Sequence, residues 1–323
     1  MDMNWYEKNK DKFCIKMPQY DVVNGHFIFM NFRYKQCDEE LIKAFIQIEY
    51  KERVSEIIRK GIHIDILKKM CEEHYLILME IEKTEKSKEK ILIFSPHVDD
   101  AAFSLGGLIA KYNNKYEFIV VNVFSKQNYT LYWDKHIQSR IIHYQLAEEK
   151  VFWEIAQIKG IMLNYEDAPL RKEYRGKKYM GCLSENEIIQ AEQYLFELLS
   201  EHLKKIIEQY NPKYFFCPIG TGKHVDHILV RESCIRLLSR FRNIVFYEDM
   251  PYSLIFESEY DSLVKRPELS DLKPISIDIK NYMFEKRKYI SVYQSQLRRF
   301  QMRMIMDHRN TLENIWSFRQ EIL

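Results

Sequence analysis

The stretch ILIFSPHVDDAAFSLGGLIAKY, residues 91–112, decides the fold. Its first five residues predict a buried strand, and its last dozen predict a helix. His97, Asp99 and Asp100 lie on the turn between these two elements. Ligands of parallel α/β sheets bind where the strands end. The histidine and the two carboxylates are therefore candidates for a functional site.

The chain after Lys90 repeats this alternation of strands and helices. Short runs rich in β-branched and aromatic residues recur, with helical stretches between them; these runs are EFIVVNVFS, KYFFCPIG and NIVFYED. Strands that alternate with helices predict an α/β fold with a mostly parallel sheet and helices on both faces.

A second group of polar residues follows the strand KYFFCPIG. The segment GTGKHVDHILVRES supplies His224, Asp226 and His227 just before another helix. Two loops thus deliver His-x-Asp-Asp and His-x-Asp-His to the same edge of one sheet. Catalytic zinc sites typically have three nitrogen or oxygen ligands from the protein and a water molecule. The two loops predict such a site.

The residues of the first loop divide into two kinds under this hypothesis. His97 and Asp100 are three positions apart across a tight turn, so both can face one ion, and one histidine of the second loop would complete the set. Asp99 is then a carboxylate that can take a proton from the water. The alternative is that these residues are solvated loop residues and helix N-caps. Two matched loops at equivalent positions argue against that alternative.

The segment before Lys90 has a different pattern. The charged stretch IEKTEKSKEK predicts a boundary, with domains at 1–86 and 87–323. YDVVNGHFIFMNFRY predicts a hairpin with Asn24-Gly25 in its turn. Two helical segments follow: DEELIKAFIQIEYKERVSEIIRKG, which is a candidate for a break, and IDILKKMCEEHYLILMEIE.

This N-terminal pattern resembles a small winged-helix-like α+β domain. It is also faintly similar to the peptide-binding elements attached to some peptide-modifying enzymes. A packing or dimerisation appendage is the favoured alternative. Because the segment offers no cluster of candidate ligands, we expect it to recognise a partner or shape substrate access without contributing to bond cleavage.

The composition excludes several classes of protein. Of 323 residues, 46% are hydrophobic and 30% are charged, as is ordinary for a soluble globular protein. A formal charge of +2 gives no bulk electrostatic case for a nucleic-acid partner. No apolar stretch approaches the length of a membrane span. The six cysteines form no CxxC pair, which predicts reduced thiols. We therefore expect a cytoplasmic protein with no nucleic-acid or membrane partner.

The two loops also resemble a known family. SPHVDDAAFSLGG is similar to the first signature of the PIG-L/LmbE deacetylases, and HVDH is similar to the second. The resemblance extends from about Lys90 to the C-terminus, with weaker similarities in YEDAPLR, YEDMPYS and EKRKYISVYQSQL. It implies a Rossmann-like fold and the zinc-dependent removal of N-acetyl groups, mostly from amino sugars.

The resemblance also implies roles for individual residues. His97, Asp100 and His227 would be the metal ligands. Asp99 would be the general base that activates water. His224 would polarise the acetyl carbonyl or stabilise the tetrahedral oxyanion.

Further residues receive roles of position or of substrate contact. Asp226 would orient a neighbouring histidine. Arg171 is a candidate to hold a substrate hydroxyl or phosphate, and Asp167 to line the pocket. A structural arginine and a turn cap are the alternatives for these two. Val98 replaces the usual proline of the first signature, and Ala101 stands where many members have glutamate.

Together these features predict a metal-dependent hydrolase that removes an N-acetyl group from an amino sugar or a glycosylated metabolite. The alternatives are hydrolysis of another amide or C–N bond, in a peptide, nucleoside or guanidino substrate, and a non-catalytic binding module. The expected cofactor is zinc, with Fe(II) or another divalent metal as alternatives. The expected partner is a small N-acetylated molecule, free or tethered to a carrier or peptide.

Overall fold

The structure of the protein is a computed structural model. It describes residues 2–18, 20–23, 26–29, 34–35, 38–80, 88–130, 135–171, 181, 183–297, 299–307, 311–320 and 322–323. Contacts within the chain divide it into two compact units. Unit 1 comprises Met1–Glu85, Thr130–Gln157 and Gln294–Gln296, and unit 2 comprises Lys86–Tyr129, Ile158–Tyr293 and Leu297–Leu323.

The strands, in chain order, are β1 (Phe13–Lys16), β2 (Tyr20–Val23), β3 (His26–Phe29), β4 (Tyr34–Lys35), β5 (Lys51–Arg53), β6 (Leu76–Met79), β7 (Glu89–Ser95), β8 (Tyr116–Asn122), β9 (Lys159–Met162), β10 (Tyr214–Pro218), β11 (Ile244–Tyr247), β12 (Lys273–Asp278) and β13 (Leu312–Ser317). The α-helices are α1 (Met3–Asn9), α2 (Glu39–Gln47), α3 (Val54–Arg59), α4 (Ile64–Glu72), α5 (Asp100–Tyr112), α6 (Lys135–Ala156), α7 (Glu185–Ala191), α8 (Gln193–Tyr210), α9 (Val225–Ile235), α10 (Tyr260–Leu263), α11 (Met283–Ile290) and α12 (Arg299–Ile305).

Unit 1 contains two small antiparallel sheets. One has the order β5-β1-β6, and the other has the order β2-β3-β4. Strands β2 and β3 pair with Val23 opposite His26, as the predicted hairpin requires. Its turn, Asn24-Gly25, lies outside the described residues. The core of this unit consists of apolar side chains from β1, β6 and the helices α2 to α4.

The helical predictions for unit 1 are partly correct. The first predicted helical segment is interrupted after α2 by strand β5. The second ends as a helix at Glu72, and the prediction is wrong over Leu76–Met79, which form a strand paired with β1. A short apolar run such as LILM suits either state, and pairing with β1 decides in favour of a strand. The winged-helix resemblance and the 1–86 and 87–323 domain boundaries remain predictions.

Unit 1 also contains helix α6. Glu154 of this helix forms an ion pair with Lys51, with 2.8 Å between Oε2 and Nζ. Buried Glu148 of the same helix accepts a hydrogen bond from the amide of Ser295, at 2.9 Å. The serine of the YQSQ sequence is therefore tied to the protein interior.

Unit 2 is built on a seven-stranded sheet in the order β12-β13-β11-β10-β7-β8-β9. The five strands from β11 to β9 are parallel, and β13 and β12 add an antiparallel edge. This arrangement confirms the predicted α/β class with a mostly parallel sheet. Among the described residues, none of the helices combines the length and the hydropathy needed to span a bilayer.

The central strands of this sheet are buried on both faces. Leu92 and Phe94 of β7 pack with helices α8 and α9 in one large core. Ile91 and Ile93 alternate with them and are also fully buried, so they point to the opposite face. Helix α5 follows β7 directly and is buried from its first turn to Ala110. A Cβ atom at Gly107 would lie 2.5 Å from Ile279, which explains a glycine within this helix.

Candidate active site

The strand order places the two predicted loops side by side. The chain leaves β7 through α5 towards β8, and it leaves β10 through α9 towards β11, in the opposite direction across the sheet. The sheet therefore has its switch point between β7 and β10, where α/β folds form a crevice for ligands. His97 follows β7 and His224 follows β10, so both loops open into this crevice.

Local hydrogen bonds shape the turn after β7. The hydroxyl of Ser95 donates to the carbonyl of His97 at 2.6 Å and accepts from the amide of Ala101 at 3.1 Å. The amide of His97 donates to Asp100 Oδ2 at 2.9 Å. These bonds close the turn and direct the His97 and Asp100 side chains to the same side.

His97, Asp100 and His227 come together as a buried group with ligand atoms within 4.8 Å of one another. Asp100 Oδ2 lies 3.2 Å from His97 Nδ1 and 3.2 Å from His227 Nε2. His227 is fully buried, and its Nε2 atom makes no hydrogen bond in the described part of the chain. A buried nitrogen of this kind is costly unless something binds it. The donor set of two imidazoles and one carboxylate fits a divalent metal such as zinc.

Each of the two histidines donates a hydrogen bond from one ring nitrogen to a buried carboxylate. His97 Nε2 donates to Asp226 Oδ2 at 3.0 Å, and His227 Nδ1 donates to Asp249 Oδ1 at 2.6 Å. The remaining nitrogen of each ring faces Asp100 and is the one that a metal could bind. In the metal-free protein, Asp100 raises the pKa of His227 to about 9 against the effect of burial, so a metal would displace a proton from this nitrogen. Carboxylates in this position fix the tautomer and orientation of metal-binding histidines.

Asp249 was not among the predicted site residues. It follows β11, is fully buried, and accepts from the amides of Gly220 and Thr221 at 2.7 and 2.9 Å through Oδ2. Gly220 has a φ of +85°, and a Cβ atom there would lie 2.9 Å from Ile228. The signal that could have found Asp249 was the sequence YEDMPYS directly after a predicted strand.

A second group of possible ligands consists of His97, His224 and Asp226. It fits a metal less well, because its carboxylate is already occupied. Asp226 accepts from His97 and from the amide of Ala168 through Oδ2, and its Oδ1 lies 2.7 Å from Arg171 Nη1. Burial opposes the ionisation of Asp226, but Arg171 and the hydrogen bond from His97 outweigh it and hold its pKa below the usual value.

His224 is the N-cap residue of α9, and its Nδ1 accepts from the amide of Asp226 at 3.2 Å. Burial lowers the pKa of His224 well below the usual value of histidine. A neutral ring with an acceptor at Nδ1 carries its proton on Nε2. The centre of the His224 ring lies 4.9 Å from that of His97, so a donor stands beside the candidate ligands.

Asp99 is the residue before α5 and is partly exposed. Its carboxylate does not accept a capping hydrogen bond from the first turn of the helix. The N-cap alternative therefore does not account for this side chain. Its role as the general base remains a prediction.

The structure gives Asp167 and Arg171 different surroundings. Both follow β9 and are buried. Burial raises the pKa of Asp167 to about 6, and its Oδ1 makes no hydrogen bond in the described residues. Arg171 instead pairs with Asp226 and Glu192. The substrate contact expected of each residue remains a prediction. The ion pairs of Arg171 favour a role in supporting Asp226 over one in binding a substrate.

Aromatic and apolar side chains flank the histidines. The ring of Tyr252 lies 5.2 Å from the ring of His227, perpendicular to it, and 6.3 Å from the ring of His224. Ile255 and Phe256 follow and are 71% and 45% exposed. The segment after β11 thus provides an apolar border to the histidines.

The comparisons with known proteins agree with this geometry. Residues 92–238 match the family model PIG-L, described as GlcNAc-PI de-N-acetylase. The 2'-N-acetylparomamine deacetylase of Streptomyces fradiae is 26% identical over 217 residues, which are 64% of this chain and 73% of that protein.

Solved structures show the same fold at low sequence identity. The zinc-inhibited form of the teicoplanin deacetylase Orf2 is 17% identical, with a TM-score of 0.53 over 70% of this chain and 97% of the other. The A40926 pseudoaglycone deacetylase Dbv21 is 15% identical, with a TM-score of 0.50 over 73% of this chain and 100% of the other.

The family match and the deacetylase relative assign the protein to the class of N-deacetylase enzymes. The family resemblance predicted from SPHVDD and HVDH is confirmed, because residues 92–238 match the PIG-L family model. The matched range begins at the second residue after Lys90 and contains both loops, but it ends at residue 238, short of the predicted C-terminal limit.

Proposed function

We propose that this protein is a zinc-dependent hydrolase that removes an N-acetyl group from an amino sugar in a glycosylated metabolite. The observation that carries the proposal is the convergence of His97 Nδ1, Asp100 Oδ2 and His227 Nε2, with the other nitrogen of each ring already hydrogen-bonded. This is the donor arrangement of a catalytic site that leaves a position for water.

His97, Asp100 and His227 would hold the zinc. A zinc ion bound there would lower the pKa of water and polarise the acetyl carbonyl. Each imidazole is already held by a carboxylate in the orientation that binding requires. Little reorganisation of these side chains is needed for the metal to enter.

The neighbouring residues would move the protons of the reaction. Asp99, adjacent to a ligand and only partly buried, would accept a proton from the attacking water and pass it to the leaving amine. His224 would donate its Nε2 proton as a hydrogen bond to the oxygen that becomes negative when the carbonyl is attacked. Its lowered pKa keeps it neutral, so that it acts as a donor without adding a second charge to the metal site.

An amino sugar is the favoured substrate for two reasons. The relatives named above are deacetylases of 2'-N-acetylparomamine, of teicoplanin and of the A40926 pseudoaglycone. In this chain Tyr252 offers an aromatic face beside His224, and exposed Ile255 and Phe256 extend that surface. Such a border suits a sugar ring that carries a larger apolar group. The substrate, free or tethered to a carrier or peptide, would place its acetyl group at the metal.

The test is mass spectrometry of reactions with purified protein and a panel of N-acetylated amino sugars, N-acylated peptides and acetylated nucleosides. Loss of one acetyl group from the sugars alone, abolished by a chelator and restored by zinc, is the expected result. Asp99→Asn serves as the matched inactive control, because it keeps the size of the side chain. Deacetylation confined to peptides or nucleosides would overturn the choice of substrate, and turnover in metal-free protein would overturn the mechanism.

A further inference from the structure

The fully buried carboxylate of Asp226 pairs with the guanidinium of Arg171. Its Oδ2 accepts from His97 Nε2 and from the amide of Ala168, and its Oδ1 lies 2.7 Å from Arg171 Nη1. A carboxylate without exposure to water needs a partner of opposite charge and a full set of hydrogen bonds. In this site Arg171 supplies the positive charge.

Arg171 is itself held on several sides. Its Nε donates to Glu192 Oε1 at 2.6 Å, and its Nη1 donates to the carbonyl of Glu166 at 2.8 Å. The guanidinium lies over the ring of Phe124, 5.0 Å from its centre. These contacts hold the guanidinium with Nη1 2.7 Å from Asp226 Oδ1.

Glu192 lies between α7 and α8. Its backbone amide donates to the carbonyl of Ile188 at the end of α7, and its side chain is buried. Its carboxylate contacts Nε of Arg171, whereas that of Asp226 lies beside Nη1. The result is a continuous line of contacts from Glu192 through Arg171 and Asp226 to His97.

We propose that Arg171 and Glu192 are positioning residues for the metal site. They fix the carboxylate of Asp226, which in turn holds the His97 ring with Nδ1 facing the metal. This inference rests on the proposed metal-dependent function. It assigns Arg171 a role different from the substrate contact expected from the sequence.

The two roles of Arg171 have different consequences. A substrate contact affects KM and leaves metal affinity unchanged. A positioning residue behind a ligand changes metal affinity by about 10–100-fold when it is removed. It also lowers kcat, because the ligand geometry is less well defined, while KM changes little.

The experiment measures zinc affinity by competition with a chromophoric chelator, together with kcat and KM. Arg171→Gln is expected to weaken zinc binding about 10–100-fold. Arg171→Lys keeps the charge but cannot bond Glu192 and Asp226 with one planar group, so we expect a smaller loss. Glu192→Gln keeps an acceptor for Nε and should show the mildest loss.

Arg266→Gln is the matched control, since Arg266 also pairs with a buried glutamate, Glu232, but does not touch the His/Asp group. It should bind zinc as the wild type does. Circular dichroism of the metal-free variants shows whether each still folds; if Arg171→Gln does not, Arg171→Lys and Glu192→Gln carry the test.

Wild-type zinc affinity in the folded Arg171 variants, or a rise in KM alone, would overturn the proposal. A wild-type protein that binds no metal would instead refute the proposed function.

Discussion

The loops after β7 and β10 each contribute a histidine to one site, but the two histidines are supported in different ways. His97 is held by Asp226, whose charge is offset by the side chain of Arg171. His227 is held by Asp249, whose second oxygen is bonded by the backbone amides of Gly220 and Thr221. The first support combines a salt bridge with the single backbone amide of Ala168, and the second relies on backbone amides of a loop.

The difference has a consequence for sequence change. A salt bridge can be removed by one substitution at Arg171. Backbone amides cannot be removed in that way, and they are lost only when the loop itself changes shape. We therefore expect the support of His227 to be the more rigid of the two, and the support of His97 to be the one that substitutions can tune.

The largest effect should come from removing either ligand itself. His97→Ala and His227→Ala each leave two of three protein ligands. The wild type should contain about one divalent metal ion per chain, and each variant should lose most of it together with all measurable activity. Metal analysis of dialysed protein checks this. Full metal content in both variants would show that the ion, if present, is bound elsewhere.

The next largest effect concerns catalysis without loss of the metal. Asp99→Asn keeps the size of the side chain but removes the proton acceptor, so the rate should fall by roughly two to four orders of magnitude. The metal content should stay at the wild-type level, because Asp99 is not among the grouped ligands. An Asp99→Asn protein with near-normal turnover would refute its role as the base.

A smaller effect compares the two supporting carboxylates directly. In Asp226→Asn the amide oxygen can still accept from His97 and Ala168, and mainly the pair with Arg171 is lost. In Asp249→Asn an NH₂ group must face either the amides of Gly220 and Thr221 or His227 Nδ1. The second orientation would favour the tautomer that cannot bind the metal.

Both substitutions should weaken metal affinity within the range of about 10–100-fold known for such partners. Asp249→Asn should lie at the upper end of this range and Asp226→Asn at the lower end. Chelator competition with the two folded variants side by side measures the difference. The reverse order would show that the salt bridge, and not the loop, is the stronger support.

The sequence predicted those parts of the molecule that local patterns determine. The alternation of strands and helices, the two loops and the grouping of His97, Asp100 and His227 all follow from strand ends in a parallel sheet. The roles of these residues remain predictions, but their proximity is a fact of the structure.

The parts that could not be predicted depend on non-local packing. Asp249 reaches His227 from a third strand, and no spacing in the sequence links the two. Residues 130–157 group with the N-terminal residues, although their helical pattern resembles that of any other crossover helix. The partners of Arg171 are equally hidden, because Glu192 lies between two helices whose packing only the fold defines.

The last and smallest expected effect is on the pH dependence of stability, and it contrasts Asp167 with Asp226. Burial acts on both carboxyl groups, but Asp226 has Arg171 as a close partner and its pKa falls, whereas the pKa of Asp167 rises to about 6. The ordinary pKa of an aspartate in an unfolded chain is 3.8. The folded metal-free protein therefore binds the Asp167 proton more tightly than the unfolded chain does.

Stability due to Asp167 is fully present below the unfolded value and is lost as the pH rises through about 6. At roughly 1.4 kcal/mol per pKa unit, the loss amounts to at most about 3 kcal/mol. Asp167→Asn cannot ionise, so it should gain stability relative to the wild type as the pH is raised from about 5 to about 7.5. Thermal unfolding of the two metal-free proteins at both pH values measures this change. A stability difference that is the same at both pH values would show that Asp167 ionises normally and that the buried site tolerates its charge.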